Sequence, residues 1–464
     1  MADSLKLDQL TVEEKRRLAR ALLQRTAQPA VAPPEPPPPP RVLPRYAEMT
    51  FDMAMHSMSR EHAESQRFHE WLQEIERDGA YSFEAPRLGA QGTEVDIERE
   101  TGERLHLLNF SSYNYLGYAT HPEVIAAAKA ALDRYGLGAA SSPILTGTML
   151  VHRQLERGLL EHFGLTQHHA VSLFSSGYGV NTGAIQAFVK RGHYIVLDRS
   201  VHMSIQEGAQ LSGAKIFYFR HNDVDNLAEV LQRLAPDNTR MLVCVEGVYS
   251  ADGDLGKLAS IVEVSKRHGA NVLVDEAHSA LIAGAHGRGV CEMAGVLDAV
   301  DLLVLTFSKA FGGVGGALIA RKEIARYVNW YARCRMFSCA LDPAVTAGVL
   351  KSLELAGSAD GDERRRRIRA NAAFLRAALA GKVDIGKSES WIVPVFYGPG
   401  NLTFTLNDYL QRIGLDTSIM QFPAVPKDES RIRLFVTSEH TEEQLANAAQ
   451  LIMQAAQRFG FAKG

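Results

Sequence analysis

Lys309 stands in Thr306-Phe-Ser-Lys-Ala-Phe-Gly-Gly-Val-Gly-Gly316, directly after the apolar run Leu302-Leu-Val-Leu305. Its amine can condense with a carbonyl to give a Schiff base, the hydroxyls of Thr306 and Ser308 can donate to a phosphate, and the glycines let backbone approach a ligand closely. Taken alone, the string reads as an ordinary strand and turn with a surface lysine. Three further segments change that reading.

Val272-Leu-Val-Asp-Glu-Ala-His-Ser279 is a short β-branched run of the kind that forms a buried parallel strand and delivers side chains at its carboxyl end. A carboxylate beside a pyridine nitrogen keeps it protonated, and that charge makes pyridoxal phosphate (PLP) an electron sink. Asp275 is the candidate carboxylate, and His278 can reach the cofactor's phenolic oxygen. The string Asp-Glu-Ala-His also occurs in nucleotide-binding proteins, but no G-x-x-x-x-G-K-[ST] loop precedes it. Leu173-Phe-Ser-Ser-Gly-Tyr-Gly-Val-Asn181 predicts a strand, a small-residue turn and a helix start, where Ser176, Gly177 and free N–H groups form an anion cradle and Tyr178 covers a ring edge. Asp198-Arg-Ser-Val-His-Met-Ser204 places His202 over the ring face opposite the lysine, although a lone histidine is more often structural.

With Glu246-Gly-Val-Tyr-Ser-Ala-Asp-Gly-Asp254 between them, these segments resemble, in order, those of the α-oxoamine synthase family of fold-type I PLP enzymes. Asn109-Phe-Ser-Ser-Tyr-Asn-Tyr-Leu-Gly117, Gly284-Ala-His-Gly-Arg-Gly289, Phe337-Ser-Cys-Ala-Leu341 and Phe422-Pro-Ala-Val-Pro-Lys-Asp-Glu-Ser-Arg-Ile-Arg433 extend the likeness from about residue 90 to 460. The resemblance implies a decarboxylative condensation of a small amino acid with an acyl thioester, giving an α-amino ketone. It implies catalytic roles for Lys309, His202, Asp275 and His278, with Ser176, Gly177, Tyr178, Ser250, Thr306 and Ser308 holding the cofactor. Ser338 and Cys339 would cross to the neighbouring subunit's phosphate site, so a homodimer is implied. Asn114, Ser142 and Arg433 would contact substrate, Arg433 as the carboxylate clamp because a guanidinium offers paired donors. An aminotransferase or aldolase of the same fold is the alternative; it shares Lys309 and Asp275 but need not carry the signature ending at Arg433.

Departures from the family pattern bear on substrate. Several relatives carry arginine where Pro143 stands, so a dicarboxylic acyl chain such as succinyl is not expected; the glycine-using 5-aminolevulinate synthases carry threonine where Ser142 stands. The smaller Ser142 leaves room for a methyl or hydroxymethyl group, so glycine, alanine and serine compete.

The elements that must position these residues are a hairpin through Val95 to Leu108 turning at Thr101-Gly102, then alternating strands and helices to about residue 325. Such alternation predicts an α/β fold: a large, mostly parallel, doubly covered sheet followed by a smaller α+β domain. The expected division is a tail over 1–45, an arm over 46–105, the PLP-binding domain over 106–342 and the small domain over 343–464. Five arginines between Glu363 and Arg369 read as a solvated helix face.

The chain of 464 residues is 46% hydrophobic, ample for a large core, and its net charge of −3 points to neither nucleic acid nor an acidic membrane surface. Its four cysteines lack metal-ligand spacing, so reduced thiols in a cytoplasmic protein and no metal are expected. No apolar run approaches about 18 residues and no signal-peptide pattern is present, so no membrane span is expected. Leu10 to Gln24, within the candidate docking stretch 5–24, reads as a short amphipathic helix opened by a Thr11–Glu14 capping box, and half of the chain's 18 prolines follow between Pro29 and Pro44. A small apolar helix on a stiff polyproline tether of about 50 Å resembles the terminal docking segments of assembly-line proteins, implying a carrier-protein or assembly-line partner.

Overall fold

The computed structural model describes residues 63–464 except Asn238, Pro423 and Gly464, together with Thr11, Glu13, Glu14 and Arg17. Thr11 N–H donates to Glu14 Oε2 at 2.7 Å and Glu14 N–H donates to Thr11 Oγ1 at 3.3 Å, so the expected capping box is formed. The rest of the expected docking helix and the proline-rich tether lie outside the described residues.

The chain divides into two compact units, the first containing residues up to 112, 251–253 and 367–464, the second 113–250 and 254–366. In the first, β1 (Glu94–Glu98) and β2 (Arg104–Asn109) form the expected antiparallel hairpin, whose turn uses Gly102 at φ 79°.

The second unit is built on seven strands: β3 (His169–Phe174), β4 (Tyr194–Asp198), β5 (Lys215–Phe219), β6 (Met241–Glu246), β7 (Asn271–Asp275), β8 (Leu302–Thr306) and β9 (Gly316–Arg321). Their order is β3-β9-β8-β7-β6-β4-β5, and β9 alone runs against its neighbours. Every residue of β6 and β8 is buried, as continuous apolar runs covered on both faces require. Polar residues appear where these strands end: Asp198, Glu246, Asp275 and Thr306 close β4, β6, β7 and β8, at the sheet edge where α/β folds bind ligands.

The first unit continues with β10 (Ile392–Gly398), β11 (Leu415–Asp416), β12 (Ser418–Met420) and β13 (Ser430–Phe435). Strands β10, β13 and β12 form an antiparallel layer, while β11 pairs with β2.

The compact units differ from the linear division expected from sequence. The hairpin belongs with the C-terminal segment because β11 extends it, and the helix Pro343–Ala356 belongs with the sheet unit because it packs on the helices Pro122–Tyr135 and Leu150–Phe163. The arginine run also differs from expectation. Arg365 is buried, donating to Ala356 O at 2.7 Å and pairing with Asp362, and the Arg364 guanidinium lies 5.3 Å from the centre of the Tyr118 ring. Two of the five arginines therefore serve packing, which charge counting in sequence does not reveal. Among the described residues, no helix is long and apolar enough to cross a membrane.

Candidate active site

Asp275 ends β7 nearly buried, its Oδ1 accepting from Ala277 N–H at 2.9 Å and its Oδ2 from Asn181 Nδ2 at 2.7 Å. Its register partner on β6 is Glu246, so the two carboxyl groups leave the sheet on one face. Burial, and after it the Asp275 carboxylate, push Glu246 well above the usual carboxylic range. Glu246 Oε1 accepts from the backbone N–H of His202 at 2.5 Å, fixing the start of the helix Met203–Ser212.

His202 caps that helix, its Nδ1 facing Ser204 Oγ at 2.8 Å, and its ring meets the Tyr178 ring edge-on at 6.1 Å. Tyr178 is the second residue of the helix Gly177–Phe188, which Ser176 caps by accepting from Gly179 N–H at 2.9 Å. A side chain at Gly177 would place Cβ 2.4 Å from Thr306 Oγ1, so only glycine lets this helix start against the end of β8. Thr306 Oγ1 lies 2.9 Å from Ser308 Oγ. Lys309 follows, half-buried, with Nζ 5.8 Å from the centre of the Tyr113 ring. His278 is buried and its Nδ1 lies 2.8 Å from Tyr115 Oη.

This donor set fits PLP. The helix start and the Thr306 and Ser308 hydroxyls supply donors for a phosphate, buried Asp275 supplies the acceptor a pyridinium N–H needs, and Lys309 supplies the amine. Residues 106–452 match the family described as aminotransferase class I and II. An 8-amino-7-oxononanoate synthase of Citrifermentans bemidjiense is 35% identical over 396 residues, covering 85% of this chain and 99% of its own length. A serine palmitoyltransferase of Sphingobacterium spiritivorum is 35% identical over 384 residues, covering 82% and 94%. The solved serine palmitoyltransferase of S. paucimobilis, with bound PLP, superposes with a TM-score of 0.81 at 33% identity, covering 87% of this chain and all of that one.

The chain belongs to the α-oxoamine synthases. These are PLP-dependent acyltransferases that condense an amino acid with an acyl thioester and release carbon dioxide, and this chain is an enzyme of that class.

Other residues expected from sequence fall in several places in this α-oxoamine synthase. Ser250 is half-buried in the turn after Tyr249. Asn114 is buried, and its Oδ1 accepts from Ala119 N–H at 3.0 Å, so the carbonyl side of its amide shapes the turn. Ser142 Oγ is buried without a hydrogen-bond partner, and Ser142 O accepts from Leu145 and Gly147 N–H. Ser338 and Cys339 lie on a surface segment headed by Phe337, which is 82% exposed. Arg433 belongs to the first unit: on β13, nearly buried, it donates from Nη2 to Ser418 Oγ at 2.8 Å. Two places along the same strand Arg431 pairs with Asp252 and Glu429, taking the ion-pair role that competes with substrate binding for an arginine here.

Sequence reasoning gave no role to Asn181, Glu246, Tyr113 or Tyr115. Asn181 was the most legible of them, a polar residue on the same helix face as Gly177, four positions on, in a mostly apolar helix.

Proposed function

We propose that this enzyme condenses glycine, alanine or serine with an acyl thioester at the residues gathered round Lys309, and that Arg433 receives the amino acid's carboxylate. The buried Asp275 carboxylate, aimed by Asn181 and in register with Glu246 at the end of the sheet, is the observation that carries this assignment. PLP, when bound, supplies a ring that accepts the electron pair freed at the substrate Cα and again on loss of carbon dioxide.

The protein's own residues do the rest. Asp275 would keep the ring nitrogen protonated, its two carboxylate oxygens held in place by Asn181 and by Ala277 N–H. His278, steadied by Tyr115, would hold the phenolic oxygen, and the helix start at Ser176 and Gly177 with the hydroxyls of Thr306 and Ser308 would hold the phosphate. Lys309 would hold the cofactor through its amine and, when that amine is free, would take the Cα proton at Nζ, with the Tyr113 ring beside it. His202 covers the ring face and donates to the substrate carboxyl or thioester oxygen. Asn114 reaches substrate through its amide nitrogen, and the unpartnered Ser142 hydroxyl suits a substrate carrying a hydroxymethyl group.

A homodimer is part of this reading, supported by the exposed apolar side chains of Leu137, Leu145 and Phe337 beside Ser142, Ser338 and Cys339. Four free thiols, two of them exposed, support a reducing, cytoplasmic setting. The thioester is carried on coenzyme A or on a carrier protein recruited by residues 5–24; deleting residues 1–45 lowers turnover with the carrier-bound acyl group and spares a small thioester mimic if the carrier is the donor.

Titrating the holoenzyme with glycine, alanine and serine, following visible absorbance and thioester-dependent release of carbon dioxide, tests the assignment. The expected result is release that needs both substrates and vanishes in Lys309→Ala. Amino-group transfer to a keto acid without a thioester would overturn it in favour of an aminotransferase.

A further inference from the structure

We propose that His221 is a positioning residue that ties the loop carrying His202 to the turn carrying Ser250. The inference rests on the cofactor placement proposed above. His221 lies two residues past β5, and the two carboxylates that grip it come from the neighbouring strand ends: Asp198 closes β4, and Asp254 follows the turn after β6. Nδ1 lies 2.9 Å from Asp198 Oδ1 and Nε2 lies 2.9 Å from Asp254 Oδ2. A neutral imidazole has one N–H and would present a lone pair to one of these carboxylates, so the geometry demands the doubly protonated ring.

The same two residues hold the two segments in question, Asp198 through its carboxylate and Asp254 through its backbone carbonyl. Asp198 is fully buried; its Oδ1 also accepts from Ser200 N–H at 2.8 Å, two residues before His202, and its Oδ2 accepts from Asn222 N–H at 2.8 Å. Asp254 O accepts from Tyr249 N–H at 3.1 Å, immediately before Ser250, and Asp254 Oδ2 accepts from Asn222 Nδ2 at 2.8 Å. The buried Tyr249 ring packs edge-on against the imidazole at 4.4 Å. Asn222, in the left-handed region at φ 54°, completes the knot, donating to Leu255 O and accepting from Lys257 N–H. His221 itself has no role in the reaction assigned above. One cation thus locks two loops whose following residues address the cofactor, while Glu246 pins the next residue of the first loop independently through His202 N–H.

The test compares His221→Gln with the double variant His221→Gln, Asp254→Asn, which removes one of the two carboxylates that the single change leaves without their cation. Urea denaturation of apoprotein, PLP affinity by fluorescence quenching, and kcat and KM are measured for each. If His221 positions the loops, the double variant regains part of the lost stability, while PLP affinity and kcat stay lowered about 10- to 100-fold in both, by analogy with loss of the outer partners of metal ligands. KM for the thioester should move little. PLP affinity and kcat that recover together with stability would overturn the proposal, as would wild-type PLP affinity in His221→Gln. His202→Ala and Ser250→Ala are measured alongside: if neither weakens PLP binding, the cofactor placement itself fails rather than the role of His221.

Discussion

Replacing Asp275 by Asn separates folding from chemistry, because the hydrogen bonds around it can be largely rebuilt without the charge. In the native site Asp275 Oδ2 accepts from Asn181 Nδ2, which also donates to Ser204 Oγ at 2.9 Å, while Asn181 Oδ1 is buried without a partner. In Asp275→Asn the new amide keeps its oxygen toward Ala277 N–H and turns its nitrogen toward Asn181. A half-turn of the Asn181 amide then offers Oδ1 to that nitrogen. Ser204 must now choose between donating to Asn181 and donating to His202 Nδ1, 2.8 Å away, so about one hydrogen bond is lost, worth about 1 kcal/mol of stability. The chemical loss is larger. An opposite charge at close range shifts a pKa by about 1–3 units, each worth about 1.4 kcal/mol, so a ring nitrogen without Asp275 costs about 1.4–4 kcal/mol, or about 10- to 1000-fold in rate. Exchange of the amino acid's α-hydrogen into heavy water, followed by proton NMR without thioester, reads that rate, and urea denaturation of the same variant reads the stability. Wild-type exchange in a variant that still retains PLP would refute the assignment of Asp275 as the group that keeps the electron sink charged.

Three further outcomes are expected. Gly177→Ala forces its Cβ against Thr306, whose Oγ1 and Cβ would lie 2.4 and 2.6 Å away, so PLP affinity should fall by at least about tenfold in equilibrium dialysis, the equivalent of about 1.4 kcal/mol; unchanged affinity would remove the helix start from the phosphate cradle. Burial opposes the charge on His221, but hydrogen bonds to Asp198 and Asp254 outweigh it and raise its pKa from 6.5 to about 10. Its contribution is therefore complete below pH 6.5 and lost as pH rises through about 10, at most about 5 kcal/mol; urea midpoints should decline across that window in wild type and less steeply in His221→Gln, and parallel profiles would disprove the charged clamp. Arg433→Leu should weaken amino-acid binding by about 2–5 kcal/mol while leaving the thioester KM nearly unchanged, as spectroscopic titration and initial rates would report; equal loss for both substrates would place the arginine elsewhere than on the carboxylate.

The candidate site residues stood out in the sequence because each sits where a local pattern breaks. Asp275 and Thr306 end apolar runs, and Ser176-Gly177 interrupts a strand-to-helix transition, so strand ends could be read one at a time. The hairpin turning at Gly102 and the mainly parallel sheet followed from alternation and apolar runs in the same way. What sequence could not decide was which strand ends become neighbours. The order β7-β6-β4-β5 places Glu246 in register with Asp275 and brings Asp198 and Asp254 to His221, and none of these pairings is written in local spacing. Arg365 makes the same point: the five arginines between Glu363 and Arg369 look solvated until the path of the helix turns Arg365 inward to the Ala356 carbonyl. Local sequence determines which side chains a strand end can offer, since that depends on hydrophobic period and turn chemistry within a few residues. Partnership depends on sheet order and burial, which arise only when distant segments pack, and it is there that Asn181, Tyr115 and His221 acquire their roles.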